Sequence, residues 1–82
     1  MSRYYFDFHD GVEVSLDQEG TELADMQAAR DEATETLLAI AKDALPPSGK
    51  ARELSIRVRD EQGKHLLAIS LGYSEEPPSW VR

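Results

Sequence analysis

The chain has no cysteine, which excludes a disulfide framework and any thiolate metal site. Cations are scarce as well: nine Lys and Arg stand against sixteen Asp and Glu, for a formal charge of −7. A surface this poor in cations does not suit a phosphate backbone, so direct contact with nucleic acid is not expected. No apolar run comes near the ~20 residues of a membrane helix. The opening Met1-Ser2-Arg3-Tyr4-Tyr5-Phe6-Asp7 lacks the apolar stretch of an export signal. A cytoplasmic protein without membrane association is expected. Missing too are an HExxH pair, a glycine-rich phosphate loop after a strand and a nucleophile elbow. Ser55 and Ser70 have no recognisable base and orienting group. No motif points to a cofactor or to catalytic residues, and a non-enzymatic protein is the first expectation.

With 82 residues the chain is read as one domain. A domain of this size has a stability margin of roughly 3–5 kcal/mol unless a partner adds to it. Charge is unevenly spread. Residues 1–49 hold three basic and eleven acidic side chains, a balance of −8, and residues 50–82 hold six and five, a balance of +1. Solvated acidic faces that keep a small protein soluble account for this most simply. An acidic surface aimed at a basic partner is the sharper alternative.

Hydrophobic alternation marks four strands. Tyr4, Phe6 and Phe8 alternate with Tyr5, Asp7 and His9, and Val12, Val14 and Leu16 alternate with Glu13, Ser15 and Asp17. Asp10-Gly11 between them signals a hairpin. A two-residue loop sets Phe8 opposite Glu13, which a sheet with one buried side does not tolerate. A three-residue turn, His9-Asp10-Gly11, pairs Phe8 with Val12, Phe6 with Val14 and Tyr4 with Leu16, and it puts Gly11 in the left-handed region. Leu54, Ile56 and Val58 mark a third strand and residues 65–71 a fourth. A four-residue turn, Asp60-Glu61-Gln62-Gly63, then pairs Ile56 with Leu67, Leu54 with Ile69 and Val58 with His65.

Residues 17–25 read as a polar connection ending in Asp25, a suitable helix N-cap. From Met26 the period becomes helical, with Met26, Ala29, Ala33, Leu37, Ile40, Ala41 and Ala44 on one stripe. Pro46 forces Leu45 out of helical geometry, so the helix should stop near Ala44. One helix covers one side of a four-stranded, mainly antiparallel sheet, which predicts an α+β fold: a two-layer ββαββ sandwich over residues 1–71. The favoured strand order is second, first, third, fourth. Residues 72–82 form an extended, proline-bearing tail.

The helix phase places Arg30 inside the apolar stripe. A buried guanidinium needs partners, and Asp17 and Glu19, just before the helix, predict a structural clamp; an anion-binding Arg30 is the functional alternative. His9 lies near Asp7 and Asp10, residue types that can hold a metal, but ordinary hairpin chemistry is favoured and no metal site is assigned. The sheet's second face should carry Tyr5, Asp7, His9, Arg57, Arg59 and Leu66, with no helix to cover it. It is either simply solvated, with Asp7 pairing Arg57, or an interface, since Tyr, Arg and an exposed Leu suit one. Trp80 in the tail should fold back or meet a partner copy. These seven residues are the candidate binding set.

Arg3-Tyr4-Tyr5-Phe6, His9-Asp10-Gly11, Asp17-x-Glu19-Gly20-x-x-Leu23-x-Asp25, Ala28-Ala29-Arg30-x-Glu32-Ala33 and Val58-Arg59-Asp60-x-x-Gly63 together resemble a family of short bacterial proteins of unknown function. The resemblance spans residues 3–71 and implies a free-standing domain without supplying catalytic residues. The hairpin and acidic, Ala-rich helix are more loosely similar to HicB-type antitoxins, by fold alone. The resulting expectation is a small interaction or regulatory module, working as a homodimer or with a protein partner. A toxin-neutralising protein, and a ligand-binding or enzymatic domain using Asp7, His9 and Arg57, are the alternatives.

Overall fold

Helix α1 covers Met26–Ala44, the interval set by its flanking residues. At its start, the Asp25 side chain accepts a hydrogen bond from the Ala28 N–H at 2.9 Å and satisfies a donor that the first turn cannot. At its end, Leu45 is extended (φ −109, ψ 145), as a residue before proline must be. The computed structural model describes residues 1–45 and 51–76. In it α1 packs on one face of an antiparallel sheet built from β1 (Ser2–His9), β2 (Val14–Ser15), β3 (Thr21–Leu23), β4 (Ala51–Arg59) and β5 (His65–Ser74). The order is β2-β1-β4-β5, and β3 pairs with β1. This is the α+β two-layer fold read from the sequence, with the aromatic first strand inside the sheet.

The core lies between layers. Ala29, Ala33, Leu37 and Ala41 of α1 are buried against Tyr4, Leu54, Ile56 and Val58. Three of the four buried helix residues are alanines, so the helix backbone can approach the sheet closely. Phe6, Phe8, Leu67, Ile69 and Leu71 pack around this centre.

Both hairpin registers differ from those expected, for different reasons. In the first, His9 lies opposite Val14 and Phe8 opposite Ser15, so the loop is the four residues 10–13. Asp10 dictates it: its carboxylate accepts from the Val12 and Glu13 N–H groups at 3.0 and 2.7 Å, and its own N–H donates to the Glu13 carbonyl. Gly11 does take a positive φ of 94. The odd shift turns Val14 to the face away from the helix and leaves Val12, Val14 and Leu16 93, 52 and 63% exposed. Local turn chemistry overrides alternation because β2 is an edge strand of only two residues, with too little buried surface to fix its register.

In the second hairpin Ile56 lies opposite Ile69, Leu54 opposite Leu71 and Val58 opposite Leu67, with a bulge between Val58 and Arg59. The loop is the five residues 60–64. Asp60 again organises it, accepting from Gln62 and Lys64 N–H groups, both at 2.9 Å. This register is shifted by two from the expected one. An even shift keeps every side chain on its face, so alternation cannot distinguish the two.

The polar connection also contains a strand that alternation did not reveal. β3 pairs Ser2 with Leu23 and Tyr4 with Thr21, while β2 pairs residues 8 and 9. β2 and β3 are thus two halves of one edge strand along β1, and five residues (16–20) sit opposite three (5–7). Arg30, expected inside the stripe, is exposed. Its long stem lets the charged head reach water although its Cα lies at the margin of the apolar phase.

These burials predict opposite outcomes for two aliphatic truncations followed by urea denaturation. Ile56→Ala, which empties core, should cost about 2–5 kcal/mol. Val14→Ser should change stability by no more than about 0.5 kcal/mol; a loss comparable to that of Ile56→Ala would restore the three-residue turn.

Candidate functional site

The face away from the helix is where the sequence places its candidate binding residues. Directly opposed residues share a face, so the ladders set Tyr5 beside Arg59, Asp7 beside Arg57, and His9 beside Ser55 there. β5 adds His65, Ala68 and Ser70 opposite Arg59, Arg57 and Ser55. Six of the seven candidates therefore lie on one surface: Tyr5, Asp7, His9, Arg57, Arg59 and Leu66. Trp80 lies outside the described residues.

The surface is not uniformly open. Asp7 is only 3% exposed, and a buried carboxylate is stable only with partners. It has three. The Asp17 N–H donates to Oδ1 at 2.9 Å, Arg59 Nε to Oδ2 at 2.7 Å and Arg59 Nη2 to Oδ1 at 3.3 Å. Arg57, opposite Asp7 in register, is exposed instead, so the expected Asp7–Arg57 pair is replaced by a diagonal one. The bulge at Val58/Arg59 is the kind of irregularity that re-aims a side chain. Arg59 also donates to the Asp17 carbonyl at 2.8 Å, and its guanidinium lies 4.7 Å from the centre of the Tyr5 ring, within cation–π range. The hydrogen bond to Asp7 is the main reason its pKa is raised, and the charges of Asp7 and Asp17 add to it against the effect of burial.

Residues 16–20 close over this network as a strap. The Asp17 carboxylate accepts from the N–H groups of Phe6, Glu19 and Gly20 at 3.1, 3.2 and 3.1 Å. Its bond to Phe6 fills the gap in the β1 ladder between β2 and β3, a side-chain oxygen replacing a missing backbone carbonyl. Burial raises the Asp17 pKa, but the three N–H donors and the Arg59 charge outweigh it, and the net shift is downward. Arg3 pins the strap from the other end, donating to the Glu19 carbonyl at 2.8 Å and to Glu22 at 3.1 Å. Gly20 has φ +73, and a Cβ there would stand 2.8 Å from the Arg3 side chain and 2.9 Å from the Tyr5 ring.

The clamp expected among Arg30, Asp17 and Glu19 is accordingly corrected. The arginine that meets Asp17 is Arg59, through the Asp17 main-chain carbonyl. Glu19 takes part through its own carbonyl, which accepts from Arg3, and Arg30 is exposed. The missed signal was Asp7 itself: a carboxylate between two phenylalanines on an inner strand must find a cation, and Arg59 falls on its face by parity alone.

Two shallow hollows flank the strap. One, of about 230 Å³, has His9, Val12, Val14, Glu53, Ser55 and Arg57 in its walls. The other, of about 400 Å³, lies among Arg57, His65, Leu66 and Ala68. Arg57 borders both. Among the described residues no three His, Asp or Glu side chains are grouped to hold a metal ion, and no helix is long and apolar enough to cross a membrane.

Fold and face together define a small α+β domain with one helix-covered side and one strapped, partly apolar open side. The chain belongs to the family described as Domain of unknown function (DUF6894), whose model matches residues 3–72. No curated protein and no solved structure matches it.

The strap yields a prediction in acid. The folded-state pKa of Asp17 lies below its unfolded value, so its contribution is complete above the unfolded pKa of ~3.9 and is lost as pH falls through the folded one. Asp17→Asn should lower the urea midpoint near neutral pH and lose less than the parent between about pH 7 and pH 3; an equal acid loss would remove Asp17 from the network. Gly20→Ala should cost about 1 kcal/mol or more at neutral pH.

Proposed function

We propose that the protein is a non-enzymatic interaction module that works as a homodimer, the two copies joined edge to edge through β5. The carrying observation is the contrast between the sheet's edges. The β2/β3 edge is short and broken by the strap. The β5 edge is ten residues long, and among the described residues no strand pairs with its outer side. From Leu66 to Ser74 it contains no charged residue and no proline, the usual guards of an exposed edge.

A second copy fits this edge by symmetry. Hydrogen-bonded and non-hydrogen-bonded pairs alternate along an antiparallel ladder, so a two-fold axis must pass through a pair of identical residues. Every cross-dimer pair then joins residues an even number of positions apart. With the axis at Ile69, Leu67 meets Leu71 on the helix side and Ala68 meets Ser70 on the open side. One sheet continues through both copies with both helices on one face. The groups on the open face best suited to acid–base work favour this reading over catalysis, since Asp7 and Arg59 are held in the strap.

Sedimentation across the micromolar range should give twice the 9.2 kDa of the chain. Ala68→Lys with Ser70→Lys, both on exposed edge positions, should give the monomer with an unchanged melting profile. A monomeric parent, or a dimer indifferent to the lysines, would overturn the proposal.

A further inference from the structure

Three aliphatic side chains of the first hairpin face water, and a hollow lies beside two of them. Val12 and Val14 stand on one side of the 230 Å³ cleft, with His9 and Ser55 at its base and Glu53 and Arg57 opposite. Apolar residues rimmed by polar ones in this way mark a docking surface. We propose that this cleft is the docking site of the chain's own C-terminal segment Pro77–Arg82, with Trp80 seated against Val12 and Val14.

Placement supports this occupant. The tip of the first hairpin leans on the start of β4: a Cβ on Gly11 would lie 3.6 Å from the Glu53 carbonyl, and Arg52 pairs with Asp10 at 3.3 Å. The β4–β5 ladder sets Glu53 opposite Gly72 and Ala51 opposite Ser74. β5 therefore delivers the chain to the same end of the sheet as the cleft. Gly72, beside Glu53, raises no side chain between the strand end and the cleft. Going from the end of β5 to the cleft means crossing one or two strand spacings, about 5–10 Å, and returning up to four residues along the sheet, about 13 Å. Trp80 follows Ser74 by six residues, an extended reach of about 20 Å.

Chemistry matches as well. The indole offers an apolar face to the valines and an N–H donor to Glu13 or Glu53 at the rim. Arg82 complements the same two carboxylates. Pro77-Pro78 restricts the free segment beforehand, which lowers the entropic cost of docking. The contact is made within one chain and does not depend on the β5 dimer.

Trp80 is the sole tryptophan, so its fluorescence reports this contact in the full chain. Emission should be blue-shifted relative to the urea-unfolded chain, several-fold less quenched by acrylamide, and the same at all protein concentrations. Val12→Ser with Val14→Ser, at exposed positions, should abolish the shift and leave circular dichroism and the melting profile unchanged. Three results would each overturn the proposal: emission equal to that of the unfolded chain, a blue shift that survives the two serines, or one that vanishes on dilution. Sedimentation of the same samples reads the dimer separately, so either proposal can fail alone.

Discussion

A carboxylate buried on an inner strand governs the rest of the open face. Asp7 sits between Phe6 and Phe8 with its charge almost out of water. Removing one partner from such a group leaves an uncompensated charge, which costs far more than an exposed ion pair contributes. The fold meets the demand with two elements distant in sequence: the strap through the Asp17 N–H, and β4 through Arg59. Arg59 also reaches the Asp17 carbonyl, so strap and sheet are tied to one another through the charge they share. The two extra residues in the edge strand follow from this, because only a strap displaced from the ladder can aim both an N–H and a carbonyl at that pair.

Alternation in the sequence was a sound guide to faces and a poor one to register. Every residue assigned to the open side of β1, β4 and β5 is found there. Pairing in the second hairpin nevertheless moved by two, because an even shift has no cost in burial and Asp60 prefers a loop of five. In the first hairpin even the face was lost beyond the turn: Asp10 closed a four-residue loop and turned Val14 outward. Aspartate at the head of a loop competes directly with cross-strand pairing, and it prevails where the strand is short. Helix α1 shows the converse. Its ends are fixed by Asp25 and by the residue before Pro46, local effects with no long-range competitor, and both boundaries were legible.

The candidate site was legible by location and misread by partner. Asp17, Glu19 and Gly20 stood out as a unit, and they do form one. The cation was sought on the nearest element in sequence, on helix α1, whereas it lies on a strand separated from Asp17 by the whole helix. Helical phase measures where a Cα points and says little about a side chain as long as arginine, which can carry its charge past an apolar margin. The better indicator was the carboxylate with no access to water, since its need for a cation is set by burial and not by sequence distance.

The strap also settles what each side of the sheet has left to offer. By filling the β1 ladder at Phe6 with a side-chain oxygen, it closes one edge to further pairing. By engaging Asp7 and Arg59, it withdraws the open face's strongest acid and base from solvent. What remains accessible is a different kind of chemistry: an unguarded row of backbone groups along β5, aliphatic side chains at the first hairpin, and Arg57 between the two hollows. Backbone edges and aliphatic patches recognise other polypeptide and do not transfer protons or groups. The same buried charge that stabilises the fold thus leaves a surface suited to joining chains, with the β5 edge facing outward and the hairpin cleft at the end of the sheet where β5 finishes.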